Sequence, residues 1–304
     1  MAKIKVAVLM ASYNGLAWLP EQLDSILNQQ NIDVSLYVSD DFSQDGGYEY
    51  LQLLSEQDSR IHLLPLTNKF GSAGKNFYRL IQDVDVSDYD YIAYADQDDI
   101  WDLDKLIRHV KLIQQHDLDG VSSNVLAFWP NGKQMLINKS KPQRELDYLF
   151  ESAGPGCTFL MTPFLVKQLK QLLADSKSLA RDVVYHDWLA YAVCRASGRK
   201  WLIDSVPSVK YRQHAHNVIG ANQGLNAKLA RISKINDGWY SQEVLKVAKV
   251  CYLISGNQHI NDLIIHLNNL KFKSRMSLLA YISEARRDFF ERFFLAITIL
   301  IGVF

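Results

Sequence analysis

Short apolar runs alternate with helix-period stretches through the first 115 residues. Lys5-Val6-Ala7-Val8-Leu9-Met10 reads as a buried strand, and Asn14-Gly15 then turns the chain into a helix with Leu19, Leu23, Ile26 and Leu27 on one face. Val34 to Val38 predicts a second strand ending at Asp40-Asp41. Gly46-Gly47 opens a helix with Tyr50, Leu51 and Leu54 inward. A third strand is expected from Ile61 to Leu66, a third helix from Ala73 to Ile81, and a fourth strand over Tyr91-Ile92-Ala93-Tyr94-Ala95. Leu103, Leu106, Ile107, Val110 and Ile113 mark the next helix. This alternation predicts an α/β fold with a mostly parallel sheet flanked by helices. Ligands of such sheets bind beyond the carboxyl ends of the strands. Three polar clusters fall at such ends: Ser12-Tyr13-Asn14, Ser39-Asp40-Asp41 and Asp96 to Asp99.

Past residue 115 the pattern loosens. Trp129 to Lys133 predicts a turn between extended runs at 121–128 and 134–137. Gly154-Pro155-Gly156 predicts a tight loop before a strand from Thr158 to Thr162. Leu165 to Leu173 and Val183 to Ala196 read as helices, Trp201 to Tyr211 as extended, and the chain from about Leu225 onward as helical.

Composition narrows the possibilities. Hydrophobic residues make up 48% of the 304 positions, enough for a sizeable core. Lys+Arg and Asp+Glu balance at 33 each, which removes a global nucleic-acid footprint. Cys157, Cys194 and Cys251 show no C-x-x-C spacing, so neither a disulfide framework nor a zinc knuckle is expected, in keeping with a reducing compartment. The first residues lead straight into a strand with no signal-peptide pattern, and no run reaches the roughly 20 apolar residues of a membrane span. Phe293 to Phe304 is nonetheless almost wholly apolar. Lys271, Lys273, Arg275, Arg286, Arg287 and Arg292 precede it, as though to meet anionic lipid head groups. The expectation is a cytoplasmic protein, peripheral at the inner face of the cell membrane. A tail that caps its own helical core is the other reading.

The densest chemistry lies in Tyr94-Ala95-Asp96-Gln97-Asp98-Asp99-Ile100-Trp101. Carboxylates crowded at the end of a buried strand repel one another and lose hydration, so they persist mainly beside a cation or hydrogen-bond donors. Hard divalent cations take such oxygen ligands together with substrate phosphates. An acidic loop capping the following helix is the competing reading. No G-x-G-x-x-G follows the first strand and no G-x-x-x-x-G-K-[ST] occurs, which removes the main support for dinucleotide and P-loop sites.

Ala11 to Gly15, Ser39 to Gly46 and Tyr94 to Trp101 together resemble the inverting family 2 glycosyltransferases of the GT-A fold, the nucleotide-diphospho-sugar transferase architecture. The likeness runs in order over roughly residues 4–220. It implies a glycosyltransferase domain over 1–222, with a nucleotide-binding half (1–115) and an acceptor half (116–222), and a helical extension over 223–304. Ser12, Tyr13, Asn14 and Asp41 would then bind the donor's base and ribose, with Asp96 on the ribose or donor sugar. Asp98 would hold Mg2+ or Mn2+. His186-Asp187-Trp188 matches the family's catalytic pair, which makes Asp187 the general base. Read alone, Asp182 and Asp187 are equally first-turn acids favoured by the helix dipole. Gly154 and Gly156, with His186 and Trp188, would face the acceptor.

Tyr211-Arg212-Gln213-His214-Ala215-His216-Asn217-Val218 is similar to a segment of bacterial rhamnosyltransferase-like members. It implies Arg212 on the donor diphosphate and His214 on the diphosphate or the metal. The implied donor is dTDP-L-rhamnose, with UDP-glucose or UDP-galactose as alternatives, and the implied acceptor is a lipid-linked saccharide of a bacterial surface polysaccharide such as O-antigen or capsule. A sugar nucleotidyltransferase is disfavoured, because Ala11 to Gly15 lacks a Gly-rich basic loop.

Overall fold

In strand β1 (Ile4–Ser12) every residue from Val6 onward is buried, which explains why its apolar run is continuous instead of alternating. The computed structural model describes residues 3–214, 238–269 and 271–304. β1 pairs in parallel with β2 (Ile32–Asp40) on one side and β4 (Tyr91–Ala95) on the other. β3 (Ile61–Leu63) lies beyond β2. Beyond β4, β9 (Leu160–Met161) runs antiparallel to β4 and to β6 (Gly120–Ser123), and β10 (Trp201–Asp204) closes that edge. The order is β10-β6-β9-β4-β1-β2-β3, mostly parallel with one reversed strand.

Successive β1 side chains serve opposite faces. Ala7 and Leu9 pack with Phe77 and Leu80 of α3 (Ala73–Asp83). Val6, Val8 and Met10 pack with Leu19, Leu23 and Ile26 of α1 (Leu19–Leu27), and with Leu106 and Val110 of α4 (Lys105–His116). α2 (Gly47–Gln57) joins β2 to β3.

Two runs that read as single extended stretches each divide between sheets. The stretch at 121–128 supplies β6 to the main sheet and β7 (Val125–Phe128) to a second one. The stretch at 201–211 likewise supplies β10 and β11 (Val209–Arg212). The second sheet has the order β5-β11-β7-β8, with β5 at Ile100–Trp101 and β8 at Gln134–Ile137. Asn124 makes the first break tolerable. Its buried carboxamide accepts from the Lys139 and Ser140 N–H groups (2.6 and 3.0 Å) and donates to the Ser205 carbonyl (2.9 Å). The strand expected at 158–162 shortens to β9 behind a 3-10 turn at Gly156–Thr158, and the strand expected through Leu66 stops at Leu63.

The remaining helices are α5 (Asp147–Phe150), α6 (Pro163–Ala174), α7 (His186–Ala196), α8 (Trp239–Ser255), α9 (Gln258–Leu267), α10 (Phe272–Leu278), α11 (Ile282–Ala285) and α12 (Phe289–Ile301). Val244, Ile260, Leu278, Ala285 and Leu295, one from each of the last five, share one core with Leu9 and Phe77, so the helical extension is continuous with the sheet's own packing. The expected boundary at 222 lies outside the described residues.

A polar seam crosses this junction. Arg287 donates to Asp147 (3.0 Å) and Glu151 (3.1 Å), and Arg195 and Tyr191 also reach Asp147. This corrects the expectation that Arg286, Arg287 and Arg292 face lipid. The Arg287 side chain is 2% exposed. Arg286 bridges Glu151 and Glu291, and Arg292 donates to the carbonyls of Arg286 and Arg287. Among the described residues no helix is long and apolar enough to cross a membrane.

Candidate active site

The three polar clusters expected at strand ends do converge. Ser12 pairs with Asp40 in the β1–β2 register, the Asp41 N–H donates to the Ser12 carbonyl (2.8 Å), and β4 stops at Ala95 opposite Met10. Asn14 takes a left-handed backbone (φ 48°), held by its N–H on Ser43 Oγ and its Oδ1 under the Gln44 N–H. The Asp41 carboxylate accepts from the Phe70 and Gly71 N–H groups (2.5 and 2.8 Å), which pins the loop before α3. The Gln97 side chain grips both backbone groups of Tyr13 (2.7 and 2.9 Å). It occupies the space over Gly15, where a Cβ would lie 2.2 Å from its Oε1. That grip leaves the Tyr13 ring 46% exposed, with the Lys69 ammonium 5.3 Å from its centroid. The Ser12 hydroxyl is buried there without a partner.

Beside this mouth lie the acids. Asp98 Oδ2 is 2.7 Å from His214 Nε2, and the His214 ring stacks on Trp18 at 4.1 Å. β11 carries Arg212, whose N–H donates to Asp99 Oδ1 (3.1 Å) and whose Nε donates to the Asp98 carbonyl (2.8 Å). Its guanidinium also pairs with Glu21 and lies over the Phe128 ring, so protein groups already occupy much of the fork. Residues 215–218 of the same motif lie outside the described residues.

Burial pushes the Asp96 carboxyl up to about 7, and the charges of Asp98 and Asp187 add to the effect. Asp99 is driven well above the carboxylate range, by desolvation first and then by Asp98 and Asp96, and its Oδ2 has no hydrogen-bond partner. Ligand atoms of Asp96, Asp99 and Cys157 lie within 4.8 Å of one another. Burial pushes the Cys157 thiol well up, so it stays protonated. Beneath them Lys105 is fully buried, its Nζ 3.3 Å from the Trp101 ring centroid, and desolvation lowers it to about 7.

Asp187 sits in the first turn of α7, where Trp188 N–H donates to its Oδ1 (2.7 Å). Desolvation pushes it up to about 6, against the hydrogen bonds from Trp188 N–H and Ser152 and the charge of Lys139. Its charge acts on Asp96, which puts the two carboxylates within electrostatic reach of one another. Before it, His186 lies flat on Phe77 (3.7 Å), and burial lowers it to about 3. Its Nε2 has no partner and faces Gly156, where a Cβ would stand 2.8 Å from it and 3.2 Å from the Asp187 Cβ. Gly154 uses φ 127°, a conformation open to glycine. Trp188 revises its expected role at the acceptor. It is 4% exposed, donates Nε1–H to the Tyr148 carbonyl and stacks on Tyr240 inside the core.

Residues 7–172 match the family described as glycosyl transferase family 2. The chain belongs to that family. It is 40% identical over 282 residues to the dTDP-rhamnosyl transferase RfbG of Shigella flexneri, spanning 90% of this chain and 97% of that one. A more distant relative is the Escherichia coli enzyme WfgD, named as a UDP-Glc:alpha-D-GlcNAc-diphosphoundecaprenol beta-1,3-glucosyltransferase. It is 28% identical over 50% of this chain and 57% of its own length. The fold matches S. aureus TarS residues 1–349 with a TM-score of 0.58 at 15% identity, over 99% of this chain and 81% of that one. It also matches the mannosyltransferase PcManGT from Pyrobaculum calidifontis, in complex with GDP-Man and Mn2+, with a TM-score of 0.52 at 15% identity, covering 100% and 81%.

Several groups that shape this glycosyltransferase's cleft escape a reading based on strand ends. Trp18 and Glu21 bear on His214 and Arg212 from the first turn of α1, where helical periodicity draws attention only to the inward apolar face. Gln97 stands inside the acidic stretch, yet its role depends on Tyr13, 84 positions away. Ser152 and Lys139 reach Asp187 from a loop and a hairpin that carry no motif.

Proposed function

We propose that this family 2 glycosyltransferase moves L-rhamnose from dTDP-L-rhamnose to a hydroxyl of a lipid-diphosphate-linked saccharide, with inversion, in surface-polysaccharide synthesis. The observation that carries the reading is the convergence of Asp41, Asp96, Asp98 and Asp187 on one cleft beyond the ends of β1, β2 and β4. Nearly full-length similarity to a dTDP-rhamnosyl transferase supports the donor, and the diphosphoundecaprenol in a second relative's name supports the acceptor class.

In this reading the exposed Tyr13 ring receives the donor's base, and Ser12, Asn14 and the Asp41 loop border its ribose. Asp187 takes the proton from the acceptor hydroxyl as that oxygen attacks the anomeric carbon from the face opposite the leaving group. A single displacement with one base inverts configuration. Its raised pKa suits the task, since a base poised near neutrality transfers protons efficiently. His186 and the Gly154–Gly156 loop wall the acceptor side, where small residues allow backbone to approach a sugar.

The oxygen-rich set around Asp98 fits a hard divalent cation, Mg2+ or Mn2+, with His214 and Asp96 beside it. The crowding of Asp96, Asp98 and Asp99, with Asp99 Oδ2 left without a hydrogen-bond partner, is what such a cation would offset. Such a cation supplies charge stabilisation to a departing diphosphate.

The exposed apolar side chains of α12 support a location at the inner membrane surface. Phe289, Phe290, Phe293, Leu300 and Ile301 are 66, 77, 61, 52 and 64% exposed, and Phe272 between Lys271 and Lys273 is 70% exposed.

The deciding assay is rhamnosyl turnover from dTDP-L-rhamnose, with and without EDTA, alongside UDP-glucose. Turnover confined to the rhamnose donor and abolished by EDTA is expected. Preference for UDP-glucose would replace the donor, and undiminished activity in EDTA would remove the cation.

A further inference from the structure

We propose that Lys139 forms an anion site for the diphosphate of the acceptor, placed between the base Asp187 and the apolar start of α12. The inference rests on the lipid-diphosphate acceptor proposed above and gives that ligand a location.

Lys139 follows β8, and its stem lies against Gly154, where a Cβ would meet its Cγ at 3.5 Å. Gly156, two residues on, abuts His186 and Asp187. The Lys139 charge is felt at Asp187 itself. A group held by Lys139 is therefore next to the saccharide that Asp187 would deprotonate.

On its other side the side chain enters a small cleft of about 60 Å³, lined also by Lys141, Glu151, Arg287, Asp288 and Glu291. The acids of this cleft are already paired. Glu151 accepts from Arg287 (3.1 Å), Glu291 from Arg286 (2.8 Å), and Asp288 from Lys141 and from the Glu291 N–H. Among the described residues no carboxylate or carbonyl bonds the Lys139 ammonium. Burial lowers its pKa, although Glu291 and Glu151 favour the charged form. An ammonium with no carboxylate or carbonyl of the protein bonded to it is open to a ligand anion, and a charge-assisted hydrogen bond of that kind is a strong one. The volume suits one phosphoryl group.

The lipid end is also placed. Asp288 lines the cleft and caps α12, and the next two residues, Phe289 and Phe290, are 66 and 77% exposed. Sugar, diphosphate and hydrocarbon would thus meet Asp187, Lys139 and Phe289–Phe290 in that order, as they follow one another in a lipid-linked saccharide.

The test uses the full chain in EDTA, so that no cation can hold the probe. Farnesyl diphosphate, farnesol and inorganic pyrophosphate are titrated by calorimetry against wild type, Lys139→Met and Lys139→Arg. Farnesyl diphosphate should bind wild type more tightly than either other probe. Lys139→Met should weaken it at least about ten-fold, the scale of one charged hydrogen bond, and Lys139→Arg should restore most of the loss. Farnesol should bind wild type and Lys139→Met alike. Equal farnesyl diphosphate affinity in wild type and Lys139→Met, or no binding to wild type, overturns the site. Pyrophosphate binding as tightly as farnesyl diphosphate overturns the lipid diphosphate as its ligand. Rhamnosyl turnover by wild type is measured separately, so failure of this site leaves the proposed reaction standing.

Discussion

Asp187, the base proposed above, shows how the surroundings tune a single carboxyl. Desolvation in the cleft raises it from the ordinary aspartate range to about 6, and a general base must be ionised to work. The sign is direct: above about pH 6 the carboxylate is present, and below it the proton stays on. The kcat of transfer should therefore fall about ten-fold per pH unit below that value, as read from a pH–rate profile. Asp187→Asn should lower turnover by a factor on the order of 10² to 10⁴ with little change in donor affinity. Near-normal turnover in that variant would remove the assigned base. If Asp98 and His214, 2.7 Å apart, hold the proposed cation, Asp98→Asn should instead raise the metal concentration needed for half-maximal activity. At this scale the acids and the D-x-D spacing were legible in the sequence. Trp188 was not, since its neighbours on α7 could not say which way the indole turns. That direction is fixed by the Tyr148 carbonyl 40 positions away.

Helices and strands raise a different difficulty. Tyr91 to Ala95 is the strand that its apolar run predicts, because a strand buried on both faces needs no information beyond its own composition. The runs at 121–128 and 201–211 look equally uniform, yet each crosses from one sheet to another. The break at Asn124 depends on partners at 139, 140 and 205. Close packing between elements then sets the position of Asp187. At Gly74 on α3 a Cβ would come within 2.2 Å of the Val184 carbonyl, three residues before Asp187. Gly74→Ala should lower stability by about 1–3 kcal/mol and depress kcat more than donor affinity, as denaturation and steady-state kinetics would show. Loss of Tm without loss of kcat would mean that α7 does not follow α3.

Across the whole molecule the C-terminal helices have two faces with separate jobs. Leu295 and Ile299 belong to the common core, and Arg287 neutralises the buried Asp147. Arg287→Met should cost about 3 kcal/mol in chemical denaturation, the low end for breaking a buried ion pair, because Arg195 and Tyr191 still reach Asp147. Deleting 289–304 would thus damage the fold as well as any membrane contact. Replacing exposed Phe289, Phe290 and Phe293 together with serine is the cleaner experiment. Flotation with anionic vesicles should be lost while Tm stays near wild type. Retained flotation would take the membrane role away from α12. A helical, apolar tail was evident from the sequence. The inward duty of Arg287 was hidden, because its carboxylate partners lie 136 and 140 positions earlier.

The Arg287–Asp147 bond joins residues 140 positions apart, and it sits where Leu189 and Val193 share a core with Val244 and Leu295. Pairings of such long range form slowly. During synthesis the apolar flank that Leu295 and Ile299 cover is therefore expected to stay bare until α12 has emerged. Chains terminated before α12 should aggregate more readily than the full chain, as sedimentation of the two would show.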